Sequence, residues 1–150
     1  MFDRISRIED EEIQQIEMTY QRTPVKKEKP IFRNGTEVYL PKTEKALNAL
    51  FHARFQCEID AGHWIPDKEK SIYNLAEPHH LVPLRYSGEF KYSLDVEENI
   101  VSLCPACHRQ LYHGQGKEDV LRKLYEDRKE LLKSAGIEIT WERLLEMYLD

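Results

Sequence analysis

The sequence has no apolar run approaching bilayer length; one of its longest, Leu47 to Phe51, is interrupted by Asn48. That excludes a membrane-spanning helix. Met1 to Asp10 carries Asp3, Arg4, Arg7, Glu9 and Asp10 and lacks the apolar core of a signal peptide, so a cytoplasmic protein is expected. There is no internal repeat and no low-complexity segment. Cysteine is scarce, at three residues, and an odd number excludes full pairing into disulfides within the chain. Two of the three form Cys104-Pro105-Ala106-Cys107, a spacing that without a secretion signal reads as metal or redox chemistry. A thioredoxin-like site would need the pair after the first strand of a βαβ pattern, and here it comes late in the chain. An excess of positive charge is also missing. The formal net charge of −5 argues against a protein that coats nucleic acid non-specifically.

What charge there is falls unevenly. Residues 1–20 hold two basic and six acidic residues, whereas 21–54 hold eight basic and three acidic, including Lys26, Lys27, Lys29 and Arg33. The basic stretch reads equally as a solvated arm or as a contact to backbone phosphates. Helical spacing of Ile5, Ile8, Ile13 and Ile16 predicts an amphipathic helix over Ile5 to Tyr20. Asn34-Gly35 between Ile31-Phe32-Arg33 and Glu37-Val38-Tyr39-Leu40 predicts a hairpin. Thr43 is expected to cap a helix over Glu44 to Phe55. Ser71 to Ala76 and Asn99 to Leu103 are strand candidates, and a helix is expected from Arg109. Lys117 to Ala135 is strongly helical, with Gly136 placed to stop it, and Thr140 is expected to cap a last helix over Trp141 to Leu149.

Five of the six histidines and all three cysteines lie between Cys57 and His113. Their order is Cys57, His63, Glu77-x-His79-His80-x-x-Pro83, Asn99, and Cys104-x-x-Cys107-His108. Adjacent histidines on an extended strand point to opposite sides, so His79 and His80 cannot share one task. One can bind a metal ion while its neighbour faces water as a base. Two core-satisfied histidines are the bland alternative, an unusual composition beside Glu77 and Pro83.

The segments Glu77 to Pro83 and Glu98 to Arg109 resemble the HNH endonuclease family, nearest in appearance to its zinc-knuckle branch in bacterial restriction and phage-related enzymes. The likeness covers roughly Phe55 to Gly114, with the Leu124 to Tyr148 tail also similar. It implies an α+β fold in which a small ββα-metal core with a zinc knuckle is flanked by N-terminal and C-terminal helices. The expected organisation is an arm over 1–42, the nuclease core over 43–116 and C-terminal helices over 117–150.

The resemblance places His79 and His108 on a catalytic Mg²⁺ or Mn²⁺, His80 as general base, and Asn99 as the amide that holds the base-bearing loop. Many relatives carry a further histidine at the position of Tyr112; here it is displaced to His113, five residues after His108 instead of four. One residue turns a helix by about 100°, which sets His113 off the metal unless the helix start is irregular. Cys104 and Cys107 supply half of a tetrahedral Zn²⁺ site, and Cys57 with His63 the other half, Asp60 being the fallback for His63. Glu77 is expected beside a histidine or an arginine such as Arg109, or else exposed. His52, outside the motif, reads as a surface or packing residue.

The implied activity is DNA cleavage. The alternatives are a zinc-stabilised nucleic-acid-binding or adaptor module, and a nuclease subunit of an antiviral defence complex whose specificity lies in a protein partner.

Overall fold

The computed structural model describes residues 20–149, so the helix expected over Ile5 to Tyr20 lies almost wholly outside the described residues. The first element is a hairpin of β1 (Ile31–Arg33) and β2 (Thr36–Val38), in antiparallel register with Arg33 opposite Thr36. Asn34 (φ +51°) and Gly35 (φ +79°) both adopt left-handed backbone, which the tight turn requires and which the Asn-Gly pair tolerates. Helix α1 (Thr43–His52) follows. Thr43 is its first helical residue and not its cap. Lys42 stands at the cap position and supplies no side-chain hydrogen bond. Four of the helix's residues, Ala46, Leu47, Ala49 and Leu50, are buried.

The helix ends through two consecutive left-handed residues, Arg54 (φ +56°) and Phe55 (φ +57°), with the Phe55 N–H bonded back to the Leu50 carbonyl at 2.8 Å. This turn drives Phe55 into a small cluster with Leu47, Leu50 and Ala76, and it delivers Cys57 to the centre of the molecule. Ser71 to Ala76 does not form a strand. Ser71 N–H closes a turn on Lys68, Leu75 N–H bonds Pro66, and Ile72 is 79% exposed. The strand comes next, as β3 (Glu77–His80), paired antiparallel with β4 (Ile100–Leu103).

Proline at position 78 costs this sheet nothing. Its partner Ser102 turns both backbone groups outward: its N–H donates to the Glu58 carboxylate and its carbonyl accepts the Glu58 N–H. The Cys57–Glu58 segment therefore borders β4 on the side away from β3. A two-stranded ladder of four residues per strand is too small to be stable alone. All four residues of β4 are buried, and the ladder depends on the elements packed over it.

Those elements are α2 (Pro105–His113), α3 (Lys117–Ser134) and α4 (Trp141–Tyr148). Helix α2 starts at Pro105, four residues before the expected Arg109, because proline suits the first helical position and the Cys104 thiol caps it by accepting the Cys107 N–H. Gly136 (φ +76°) terminates α3, with Tyr92 packed where a Cβ would stand. Thr140 caps α4 by accepting the Arg143 N–H at 3.1 Å. The main core joins Leu81, Val101, Leu103, Leu111, Leu121, Leu124, Leu132 and Leu144, each at most 1% exposed. The architecture is thus α+β, a ββα unit with helices before and after it. Among the described residues no helix is long and apolar enough to cross a membrane.

Candidate active site and metal knuckle

Cys57, His63, Cys104 and Cys107 converge: one ligand atom from each lies within 4.8 Å of all the others. The His63 Nδ1 is 3.4 Å from Cys107 Sγ and 3.7 Å from Cys104 Sγ. Zinc bonded tetrahedrally to sulfur at about 2.3 Å and nitrogen at about 2.1 Å sets those separations at about 3.6 Å. The donor set therefore fits a closed Cys₃His zinc knuckle. Asp60 is otherwise engaged, accepting the Gly62 N–H at 2.8 Å to shape the loop that carries His63.

Electrostatics agree. Burial raises the Cys57 thiol, but N–H groups of the surrounding loops outweigh it and bring the pKa down to about 7. Burial, then the neighbouring Cys104 and Cys57, pushes Cys107 well up. Three crowded thiols cannot all ionise without a cation among them.

Strand β3 separates two further groups of side chains. Toward α2, the His79 and His108 rings lie 5.0 Å apart. His79 Nε2 is 2.7 Å from the Tyr148 hydroxyl, which gives its single proton to the Leu81 carbonyl. The hydroxyl must then accept from His79, so Nε2 carries the hydrogen and Nδ1 keeps its lone pair. Burial, then the neighbouring His108 and His80, lowers the His79 pKa to about 3, holding it in the neutral form that metals bind. His108 Nδ1 is 2.7 Å from Glu77 Oε1. A carboxylate only accepts, so Nδ1 carries a hydrogen, and in the neutral ring the lone pair is on Nε2. Glu77 thus bonds His108 and not Arg109, which is exposed.

The Tyr112 hydroxyl stands 3.4 Å from His79 Nδ1, one helical turn after His108. His113 lines a shallow depression of about 250 Å³ with Glu77, His108 and Tyr112. His79, His108 and His113 do not draw together as the knuckle ligands do; among the described residues only the knuckle forms such a cluster.

His80 is paired with Asp95, its Nε2 2.8 Å from Oδ1, with both side chains mostly buried. The other Asp95 oxygen accepts the Lys42 N–H, and its own N–H donates to Ser93 Oγ, so the carboxylate is fixed from several directions. Asn99 is fully buried and grips the loop after His80: its amide accepts the Val82 N–H and donates to the carbonyls of Val82 and Leu94. His52 stacks on Tyr20 at the surface, ring centroids 3.6 Å apart, away from both groups.

Three contributors carried no sequence signal. Asp95 and Tyr148 are common residue types 15 and 69 positions from their histidines. Arg128, 3% exposed, binds the Glu58 carboxylate through two nitrogens and donates to the carbonyls of Glu97, Glu98 and Ile100. It thereby clamps the Asn99 turn to the segment that follows Cys57.

Residues 63–114 match the family model for HNH endonuclease. The chain is also 37% identical over 49 residues to the type IV methyl-directed restriction enzyme EcoKMcrA of Escherichia coli (strain K12). That alignment covers 33% of this chain and 16% of the relative, so the chain spans only a small part of the enzyme it matches. The matched family segment runs from the knuckle histidine to the end of the helix bearing His108 and His113, and it takes in both strands of the ββα unit. Residues 63–114 thus carry an HNH endonuclease domain.

Proposed function

We propose that this chain is a metal-dependent endonuclease that hydrolyses DNA phosphodiester bonds, with His80 as general base and a Mg²⁺ or Mn²⁺ ion on His79 and His108. The Cys57–His63–Cys104–Cys107 knuckle holds Zn²⁺ in a structural role, tying the segment after α1 to the turn between β4 and α2. One observation carries the reading. Tyr148 and Glu77 leave one free nitrogen lone pair on each of two neighbouring rings, while Asp95 orients the adjacent histidine on the other side of the strand.

The bound ion supplies Lewis-acid stabilisation to the phosphate and the leaving oxygen. The chain's own groups do the rest. Asp95 accepts the Nε2–H of His80, which leaves Nδ1 to take a proton from water. The same carboxylate stabilises the imidazolium that results, as an orienting acid does for a histidine base in other hydrolases. Asn99 keeps the backbone after His80 from moving as the charge develops. The site functions with two protein ligands, and His113 is left to the rim of the depression.

The relative's name describes methyl-directed restriction. The proposal takes from it cleavage of DNA in restriction, and takes no target from 49 aligned residues. A cytoplasmic location accords with that role.

The test is cleavage of supercoiled plasmid with Mg²⁺, Mn²⁺ or EDTA, comparing wild type with His80→Ala. General-base catalysis is worth about 10²- to 10⁴-fold, and the variant should lose that much. Undiminished cleavage by His80→Ala overturns the base assignment.

A further inference from the structure

Asp95 also borders a cavity of about 290 Å³. Among the described residues lysines 26, 27, 29, 42 and 45 line it, against two carboxylates, Glu28 and Asp95. This concentration stands out in a chain of net charge −5. Asp95 is already committed to His80 and to the Lys42 backbone. Glu28 holds the Lys42 ammonium at 2.6 Å. Lys27 gives one hydrogen to the Ser87 carbonyl and lies over the Tyr39 ring, leaving two donors unspent among the described residues. Lys45 reaches only to 3.8 Å from Glu97. The floor, by contrast, is apolar, formed by Val25, Leu84 and Leu94.

Ammonium groups beside apolar side chains suit a ligand with anionic oxygens and a carbon body. The volume is at the small end for ligand pockets, which run from about 300 Å³, so it holds one sugar-phosphate unit and not an oligomer. Because Asp95 both lines the cavity and orients His80, a unit seated there lies next to the base.

We propose that this pocket grips the phosphate of a nucleotide flanking the scissile bond, Lys27 and Lys45 contacting its oxygens and the sugar resting on Leu84 and Leu94. This inference rests on the nuclease reading of His80 and names a positioning site for its substrate strand. It also gives a task to the basic stretch over 21–54.

The experiment measures binding of fluorescein-labelled 20-nucleotide single strands and duplexes by anisotropy across a salt series. The full chain is used with its zinc, and no Mg²⁺ or Mn²⁺ is added, so that the strand is not cut. Wild type is compared with Lys27→Gln/Lys45→Gln, and with Lys123→Gln/Lys129→Gln on α3, outside the lining of the cavity, as a charge control. Each lost phosphate contact lowers the slope of log K against log salt by about 0.7 on single strands and about 0.9 on duplexes. The pocket variant gives up one phosphate contact and should lose about 0.7 in slope on single strands and about 0.9 on duplexes, keeping its zinc, while the control stays at the wild-type slope.

An unchanged slope in the pocket variant, or an equal loss in the control, overturns the proposal. A variant that loses competition by inorganic phosphate but keeps its affinity for DNA also overturns it, since the pocket is then a small-anion site. Cleavage with an unchanged slope fails this inference alone. Lysine-dependent binding without cleavage in Mg²⁺ or Mn²⁺ fails the nuclease reading alone.

Discussion

Replacing Arg128 should do more damage than replacing any exposed charge in this molecule. Its guanidinium is 3% exposed, and the partner carboxylate of Glu58 has a side chain 22% exposed. The Arg128→Met variant keeps most of the volume but strands that carboxylate and takes a donor from three carbonyls, of Glu97, Glu98 and Ile100, of which Glu97 keeps the Ile100 N–H. Breaking a buried ion pair from one side costs about 3–5 kcal/mol. Domains of this size have about 5–15 kcal/mol of total stability, so the variant should lose a large fraction of it.

Urea unfolding measures this directly, and a double-mutant cycle apportions it. Glu58→Gln alone removes the charge and keeps the bond to the Ser102 N–H within reach of the amide oxygen. With the carboxylate gone, Arg128→Met has less left to strand, so the double variant should be more stable than the sum of the single losses by about 1–3 kcal/mol. A loss below about 1 kcal/mol for Arg128→Met, or strict additivity in the cycle, would refute the argument that this pair acts as one buried clamp.

Three other outcomes follow from the same geometry. Asp95→Asn leaves the His80 ring in place but permits the wrong tautomer, so plasmid cleavage should fall by about 10²-fold or more while circular dichroism and zinc content stay at wild-type values. Tyr148→Phe removes the acceptor of the His79 Nε2–H; half-maximal cleavage should then require about 10- to 100-fold more Mn²⁺, with little change at saturation. Cys104→Ser removes a thiolate and the cap of α2 together, and elemental analysis should find the zinc gone and urea unfolding at a markedly lower midpoint.

The chemistry of this chain is more legible in its sequence than its architecture, and the reason is local. A metal knuckle and its following histidine tie residue type to spacing within one turn, so Cys104, Cys107 and His108 announce one another. Cys57 and His63 are recognisable as the completing half because few other residues supply soft ligands. Backbone-driven elements were also readable: the Asn34-Gly35 turn, the Gly136 stop and the Thr140 cap each follow from one residue's conformational preference. Strand β3 was harder. Ile72, Tyr73 and Leu75 have the composition of a strand, yet they turn and partly face solvent, while Glu77-Pro78-His79-His80, poor in strand formers, pairs with β4. Tertiary pairing overrides propensity there. Asp95, Arg128 and Tyr148 act across 15 to 70 residues, and no local pattern marks them.

The offset between Tyr112 and His113 bears on the choice of ion. Helix α2 runs without interruption from Pro105 to His113, so no irregular start absorbs the extra residue. Position 112, one turn after His108, is the one that faces His79, and it presents a hydroxyl. Burial raises the Tyr112 pKa, which keeps that oxygen protonated and a poor ligand at neutral pH. The proposed catalytic site therefore offers two imidazole nitrogens where a third would favour zinc or nickel. An ion there must take its remaining ligands as oxygens from water and phosphate. Hard ions such as Mg²⁺ and Mn²⁺ accept that arrangement readily, whereas zinc is better served by the thiolates of the knuckle. On the proposed reading, the offset of His113 keeps an oxygen-rich catalytic ion site apart from the thiolates of the knuckle.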